Sequence, residues 1–214
     1  MKSMDKRFAI FDMDGTLVDS MGYWKSLGRE YLAGQGITEN INDVLKQTLM
    51  ITLPEAAELF VNKFSLSVSP EEAHSEMMEI MAEHYRKDIP LKDGVKEYLE
   101  KLSKNGVRMC IASNTGAGLV DACLTRLGIK KYFEFLLSCE EIGVGKSEPD
   151  VYFEAARRLG SEPKNIAVFE DALFAAKTAK NAGFYLVAVY DENAKKNWEK
   201  LSALADESIN GEWI

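Results

Sequence analysis

Residues 7–16 read RFAIFDMDGT, and the fold turns on the change of character inside that stretch. Residues 8–11 are a short apolar run that stops at acidic residues and glycine, the pattern of a buried strand ending at a loop. Three later runs repeat it, at 107–112, 166–169 and 185–189. Between them lie helical periodicities at 94–104, 118–127, 149–159 and 172–182. Strands that alternate with helices predict an α/β fold, a doubly wound parallel sheet covered on both faces. Shorter strands near 134–137 and 206–209 would extend it.

Residues 20–88 differ: they hold four helical patterns, at 20–35, 40–50, 53–63 and 70–87, and no convincing strand. In the last, Ala73, Met77, Ile80, Met81 and His84 recur at helical spacing and read as a core stripe rather than a recognition face. The expected organisation is a catalytic core of residues 1–19 and 89–214 with a helical insert at 20–88. The connections near 17–20 and 88–94 would serve as hinges.

The 214 residues are 46% hydrophobic and 28% charged, the balance of an ordinary globular protein. The net charge of −8 disfavours non-specific binding to nucleic acid or an anionic membrane. The apolar run at 8–11 is far too short for a signal peptide or a spanning helix, so a cytoplasmic protein is expected. Cys110, Cys123 and Cys139 are odd in number and form no CxxC pair, which argues against disulfides or a zinc site.

Ligands of a doubly wound sheet bind beyond the carboxyl ends of its strands. Four short motifs fall there. The first is DMDGT, 12–16, where Asp12 and Asp14 can converge on one metal and one electrophile, or simply make a turn. The second is SNTGAG, 113–118, whose Ser113 and Asn114 with successive N–H groups suit an anion, or cap a helix. The third is GVGKSEPD, 143–150. Lys146 lies just before a helix start, where the dipole is positive, and serving a phosphate would explain it; a solvated lysine is the alternative. The fourth is the acidic pair Glu170–Asp171, suited to a hard cation such as Mg²⁺, or with Asp171 as an N-cap. Each motif alone has an ordinary structural explanation. Their order, shared location and complementary chemistry do not.

Over nearly its whole length the chain resembles the haloacid dehalogenase-like superfamily, in the small-helical-cap branch of β-phosphoglucomutase-like and phosphoglycolate phosphatase-like proteins. The resemblance rests on DMDGT at 12–16, IASN ending at Asn114, Lys146 followed by EPD, and FED at 169–171. It implies that Asp12 is the nucleophile and Asp14 the acid/base. It also implies that Ser113 and Lys146 hold the phosphoryl group, and that Asp12, Asp171, Glu170 and the Asp14 backbone carbonyl surround Mg²⁺. Ala172 and Ala175 stand where this branch commonly has Ser and Gly, a departure that touches the metal shell. An aspartate at position 14 points to an oxygen ester, because dehalogenases and phosphonate-cleaving members lack an acid/base there.

The resemblance makes residues 20–88 the cap. They carry 6 Lys/Arg and 11 Asp/Glu, a net −5 that suits a second phosphate poorly. At the cap positions where β-phosphoglucomutases use His, Arg and Lys, this chain has Trp24, the Arg-free stretch 51–56 and the region of Met81. Trp24 would stack on the substrate or pack inside the cap. His74 and His84 read as solvated or packed. The expectation is a Mg²⁺-dependent phosphatase for a small-molecule phosphate ester, a monomer or weak homodimer. A sugar phosphomutase with the same nucleophile is the alternative, and a catalytically idle binding module a more distant one.

Overall fold

The computed structural model describes residues 5–48 and 51–213. The chain begins with β1 (Phe8–Phe11), followed by helices α1 (Met21–Gly34), α2 (Asn42–Thr48), α3 (Leu53–Phe64) and α4 (Pro70–Lys87). Then come α5 (Val95–Lys104), β2 (Arg108–Ser113), α6 (Ala117–Arg126) and β3 (Leu136–Ser138). The chain continues through α7 (Cys139–Ile142), α8 (Asp150–Leu159), β4 (Ile166–Glu170) and α9 (Leu173–Asn181). It ends with β5 (Tyr185–Val189), α10 (Trp198–Leu204) and β6 (Glu207–Ile209). The end of the helix expected over 40–50 lies outside the described residues.

Chain contacts divide the protein into two units, Gly22–Asp88 and the remainder on either side of it. In the larger unit the six strands form one parallel sheet in the order β3-β2-β1-β4-β5-β6. The chain moves outward from β1 to β2 and β3, then returns to place β4 on the other side of β1. That reversal between β1 and β4 is the switch point at which such sheets open a crevice. Phe11 stands in register with Ile111 on one side and Phe169 on the other, so Asp12 and Glu170 leave the sheet side by side.

The central strands are buried almost throughout, as helices on both faces require. On one side Ile10, Cys110 and Val168 pack with Val151, Tyr152 and Leu159 of α8. Phe11 stacks on Phe169 at 4.1 Å between ring centroids, and Phe169 stacks in turn on Trp213 at 6.0 Å. This aromatic column anchors the ends of β1 and β4 directly beneath the loops that carry the acids. All three cysteines are buried and unpaired, and burial pushes the Cys123 thiol up to about 11.

The helical unit is built from amphipathic segments with explicit start signals. Both α3 and α4 open on capping boxes, Thr52 with Glu55 and Ser69 with Glu72, each with proline in the first turn. Ala73, Met77 and Met81 of the expected stripe are buried and are joined by Ala82 and Tyr85, while Ile80 and His84 are half-buried. Gly28 lets α1 approach α3 closely, since a Cβ there would lie 2.9 Å from the Phe60 ring. Among the described residues no helix is long and apolar enough to cross a membrane.

Candidate active site

Asp12 follows β1 directly, and its N–H still bonds to the Phe169 carbonyl of β4 at 3.0 Å. This last rung of the ladder fixes Asp12 beside Glu170 and Asp171. The three carboxylates are buried, and each offers an oxygen within 4.8 Å of the others'. Among the described residues this is the one such group able to hold a metal ion.

Lys146 enters the same place from the loop before α8. It is 2% exposed, which excludes the solvated alternative. Its ammonium donates to Asp12 Oδ1 and, at 2.6 Å, to Glu170 Oε1. Its backbone N–H bonds to the Asn114 side-chain carbonyl at 3.3 Å, so the second and third motifs are tied together. Burial opposes the charge of Lys146, but the Asp12 and Glu170 carboxylates outweigh it and hold the ammonium above the usual lysine range.

The acids shift upward as well, which in their case disfavours the charged form. Burial, reinforced by the Asp12 charge and opposed by Lys146, pushes Glu170 up to about 7. Burial and the charges of Asp12 and Glu170 hold Asp171 well above the ordinary carboxylate range. Three buried carboxylates against one ammonium leave two formal negative charges, the charge a divalent cation neutralises. The donor set is all oxygen and contains no sulfur or imidazole, so it fits Mg²⁺.

Asp14 has different company. Ser20 donates to its Oδ1 at 2.6 Å and Thr115 to its Oδ2 at 2.7 Å. Its carboxylate is thus outside the acidic triad. Directly after Asp14, Gly15 adopts φ +78°, and a Cβ at that position would strike the Asp171 carboxylate. Thr16 completes the turn by donating to Asp171 Oδ1 at 3.2 Å.

The capping alternatives are not what the structure contains. α9 starts at Leu173 with Ala172 as its N-cap and no side-chain cap bond, so Asp171 is not spent on the helix. α6 likewise begins after Gly116 without a side-chain cap. Ser113 is buried, and its hydroxyl accepts the Thr115 N–H at 3.0 Å, which shapes the loop. Trp24 donates its indole N–H to the Tyr85 hydroxyl at 3.0 Å, a contact inside the helical unit. Its ring also lines a hollow of about 220 Å³ with Leu27, Thr52 and Met77.

Ser20, Thr115 and Tyr152 escaped the sequence reading as site residues. Thr115 was visible only as a member of the SNTGAG stretch and Ser20 only as part of a connection. The connections themselves pair with each other: Asp19 N–H bonds to the Pro90 carbonyl at 3.0 Å and Lys92 N–H to the Leu17 carbonyl at 2.9 Å. The Lys92 ammonium donates to the Gly15 and Tyr190 carbonyls and pairs with buried Asp191 at 2.9 Å. The loop of the first motif is thereby pinned to the end of β5.

A doubly wound parallel sheet with a buried acidic cluster, bridged by a lysine, at its switch point defines a Rossmann-like α/β protein. The chain belongs to the haloacid dehalogenase-like hydrolases, whose family model matches residues 7–183. A bifunctional riboflavin kinase/FMN phosphatase of Arabidopsis thaliana is 29% identical over 94% of this chain, which spans 52% of that relative's length. A fructose-1-phosphate phosphatase of Escherichia coli is 28% identical over 87% of this chain and 98% of its own. A β-phosphoglucomutase candidate from Thermotoga maritima superposes with a TM-score of 0.82 at 24% identity. It covers 96% of this chain and 95% of that one, and at such identity the likeness speaks for the fold.

Proposed function

We propose that the chain is a Mg²⁺-dependent phosphatase that hydrolyses small phosphate monoesters through a phospho-aspartate on Asp12. The observation that carries this reading is the division between the two neighbouring aspartates. Asp12 faces Lys146 within the acidic triad, whereas the Asp14 carboxylate is held by two hydroxyls. That contrast supports a nucleophile at Asp12 and a proton carrier at Asp14. The phosphatase names of the Arabidopsis and Escherichia coli relatives support the same class of reaction.

An Asp12 oxygen attacks phosphorus and the ester P–O bond breaks. The leaving oxygen takes the proton of Asp14, so an alcohol departs and Asp12 carries the phosphoryl group. Water then attacks phosphorus and gives a proton to Asp14. This releases inorganic phosphate and restores the Asp12 carboxylate. Lys146, with Ser113 and Asn114 shaping the adjoining loop, holds the phosphoryl oxygens and offsets their charge. Asp12, Asp171 and Glu170 would hold Mg²⁺, with the Asp14 backbone carbonyl as a further ligand. There the ion would neutralise nucleophile and phosphate, which otherwise repel each other.

The phosphomutase reading has one observation in its favour. Lys25, Arg29 and Lys46, half of the helical unit's cations, surround a hollow of about 560 Å³ between α1 and α2. Asn42 accepts from Arg29 at 2.8 Å and steadies its guanidinium. The net charge of the unit concealed this cluster, which could serve a second anionic group.

Turnover of p-nitrophenyl phosphate with Mg²⁺, its loss with EDTA and its return on readdition test the proposal. Full turnover in metal-free buffer would overturn the metal assignment. Interconversion of β-glucose 1-phosphate and glucose 6-phosphate faster than hydrolysis would put the mutase first.

A further inference from the structure

We infer that Tyr152 is a positioning residue for this site, its hydroxyl setting Glu170 and its ring supporting Lys146. The inference rests on the proposed roles of Glu170 at the metal and Lys146 at the phosphate.

Tyr152 lies in the first turn of α8 and is fully buried. A buried tyrosine hydroxyl needs an acceptor. Its partner is Glu170 Oε1 at 2.7 Å, the same oxygen that accepts from the Lys146 ammonium at 2.6 Å. Two donors on one oxygen fix the rotation of that carboxylate within the acidic triad. The Lys146 ammonium also stands 5.9 Å from the centre of the Tyr152 ring, at the edge of cation–π range. Phenylalanine would fill the same space against Phe184, its ring neighbour at 6.0 Å. What the hydroxyl adds is therefore the bond to Glu170. A group behind a metal ligand typically matters by roughly 10–100-fold in metal affinity or activity.

The decisive measurement is Mg²⁺ binding to the substrate-free enzyme, by calorimetry, for wild type, Tyr152→Phe, Glu170→Gln and the double variant. Tyr152→Phe should weaken Mg²⁺ binding by about 10-fold. It should add nothing in the Glu170→Gln background, because the tyrosine acts through that carboxylate. Inhibition by inorganic phosphate reads Lys146 separately: Tyr152→Phe, which keeps the ring, should leave it unchanged, and Tyr152→Leu should weaken it. Fluorine NMR of the unsubstituted enzyme carrying 3-fluorotyrosine needs no variant to fold, and the Tyr152 resonance should shift on Mg²⁺ addition. Unchanged Mg²⁺ affinity in Tyr152→Phe, a full additional loss in the double variant, or a Tyr152 resonance insensitive to Mg²⁺ overturns the inference. Wild-type enzyme that takes up no Mg²⁺ overturns the metal reading, and this inference with it.

Discussion

Asp12 and Asp14 stand two residues apart, yet their carboxylates meet different partners, ammonium and acids for one, hydroxyls for the other. Single substitutions should therefore separate two steps of one reaction. Asp12→Asn should lose both hydrolysis and phosphoenzyme, since an amide is a poor nucleophile and a poorer metal ligand. Asp14→Ala should behave otherwise when the leaving group is activated, as in p-nitrophenyl or acetyl phosphate. Such a group needs little protonation, so the first step proceeds. Hydrolysis of the phosphoenzyme then lacks its base and should slow by roughly 10²–10⁴-fold. Phosphorylated Asp12 should accumulate and be seen by mass spectrometry and peptide mapping after a rapid acid quench. Phosphate on another residue, or equal trapping by Asp12→Asn, contradicts the assignment.

At the scale of elements, the end of α4 carries a pH-dependent tie. His84 bonds through Nδ1 to the Asp88 carboxylate at 2.8 Å and through Nε2 to the Glu30 carboxylate of α1 at 2.9 Å, and the protonated ring donates to both. Burial works against charge on the ring, but the two carboxylates outweigh it and raise the pKa above its ordinary 6.5. Protonated His84 thus stabilises the helical unit fully below that ordinary value, and the contribution fades as pH rises through the raised one. His84→Gln should cost more stability near pH 5.5 than near pH 8.5, read by urea unfolding at about those two values. An equal cost at both would mean the ring only packs. The elements themselves were legible where periodicity is long: the four major strands and four core helices lie within a residue or two of their expected positions. The short strands β3 and β6 also fall where they were expected, but the short helices were not legible. α7 has one turn, and α10 follows a run of 3₁₀ structure over Glu192–Asn197 that blurs the period. The partners of Asp14 were equally hidden, because Ser20 and Thr115 meet it across 6 and 101 residues of chain.

At the scale of the whole molecule, the strand order brings together residues from 12 to 171, and this is why four ordinary-looking motifs could be read as one site. Sequence could place three of the four motifs directly at a strand end and the third motif before a helix start. It could not show that Lys146 is buried between two acids, nor that three cations of the helical unit share one hollow despite a net charge of −5 over residues 20–88. The excess negative charge in the crevice has a thermodynamic consequence that needs no substrate. Folding gathers Asp12, Glu170 and Asp171 in a low-dielectric place, and raised pKa values at Glu170 and Asp171 record the cost of their charge. A cation that binds only the folded protein repays part of this by mass action, about 2.7 kcal/mol at 100 times its dissociation constant. For a chain of this size each kcal/mol moves the midpoint by roughly 2–4 °C. Saturating Mg²⁺ should therefore raise the thermal midpoint of the α/β unit by roughly 5–11 °C. Asp171→Asn removes one ligand charge and relieves the same repulsion. It should show a higher midpoint than wild type without metal and a much smaller rise with it. Scanning calorimetry of both proteins, with EDTA and with Mg²⁺, checks this. Equal Mg²⁺ shifts in the two proteins would place the ion elsewhere than the crevice between β1 and β4.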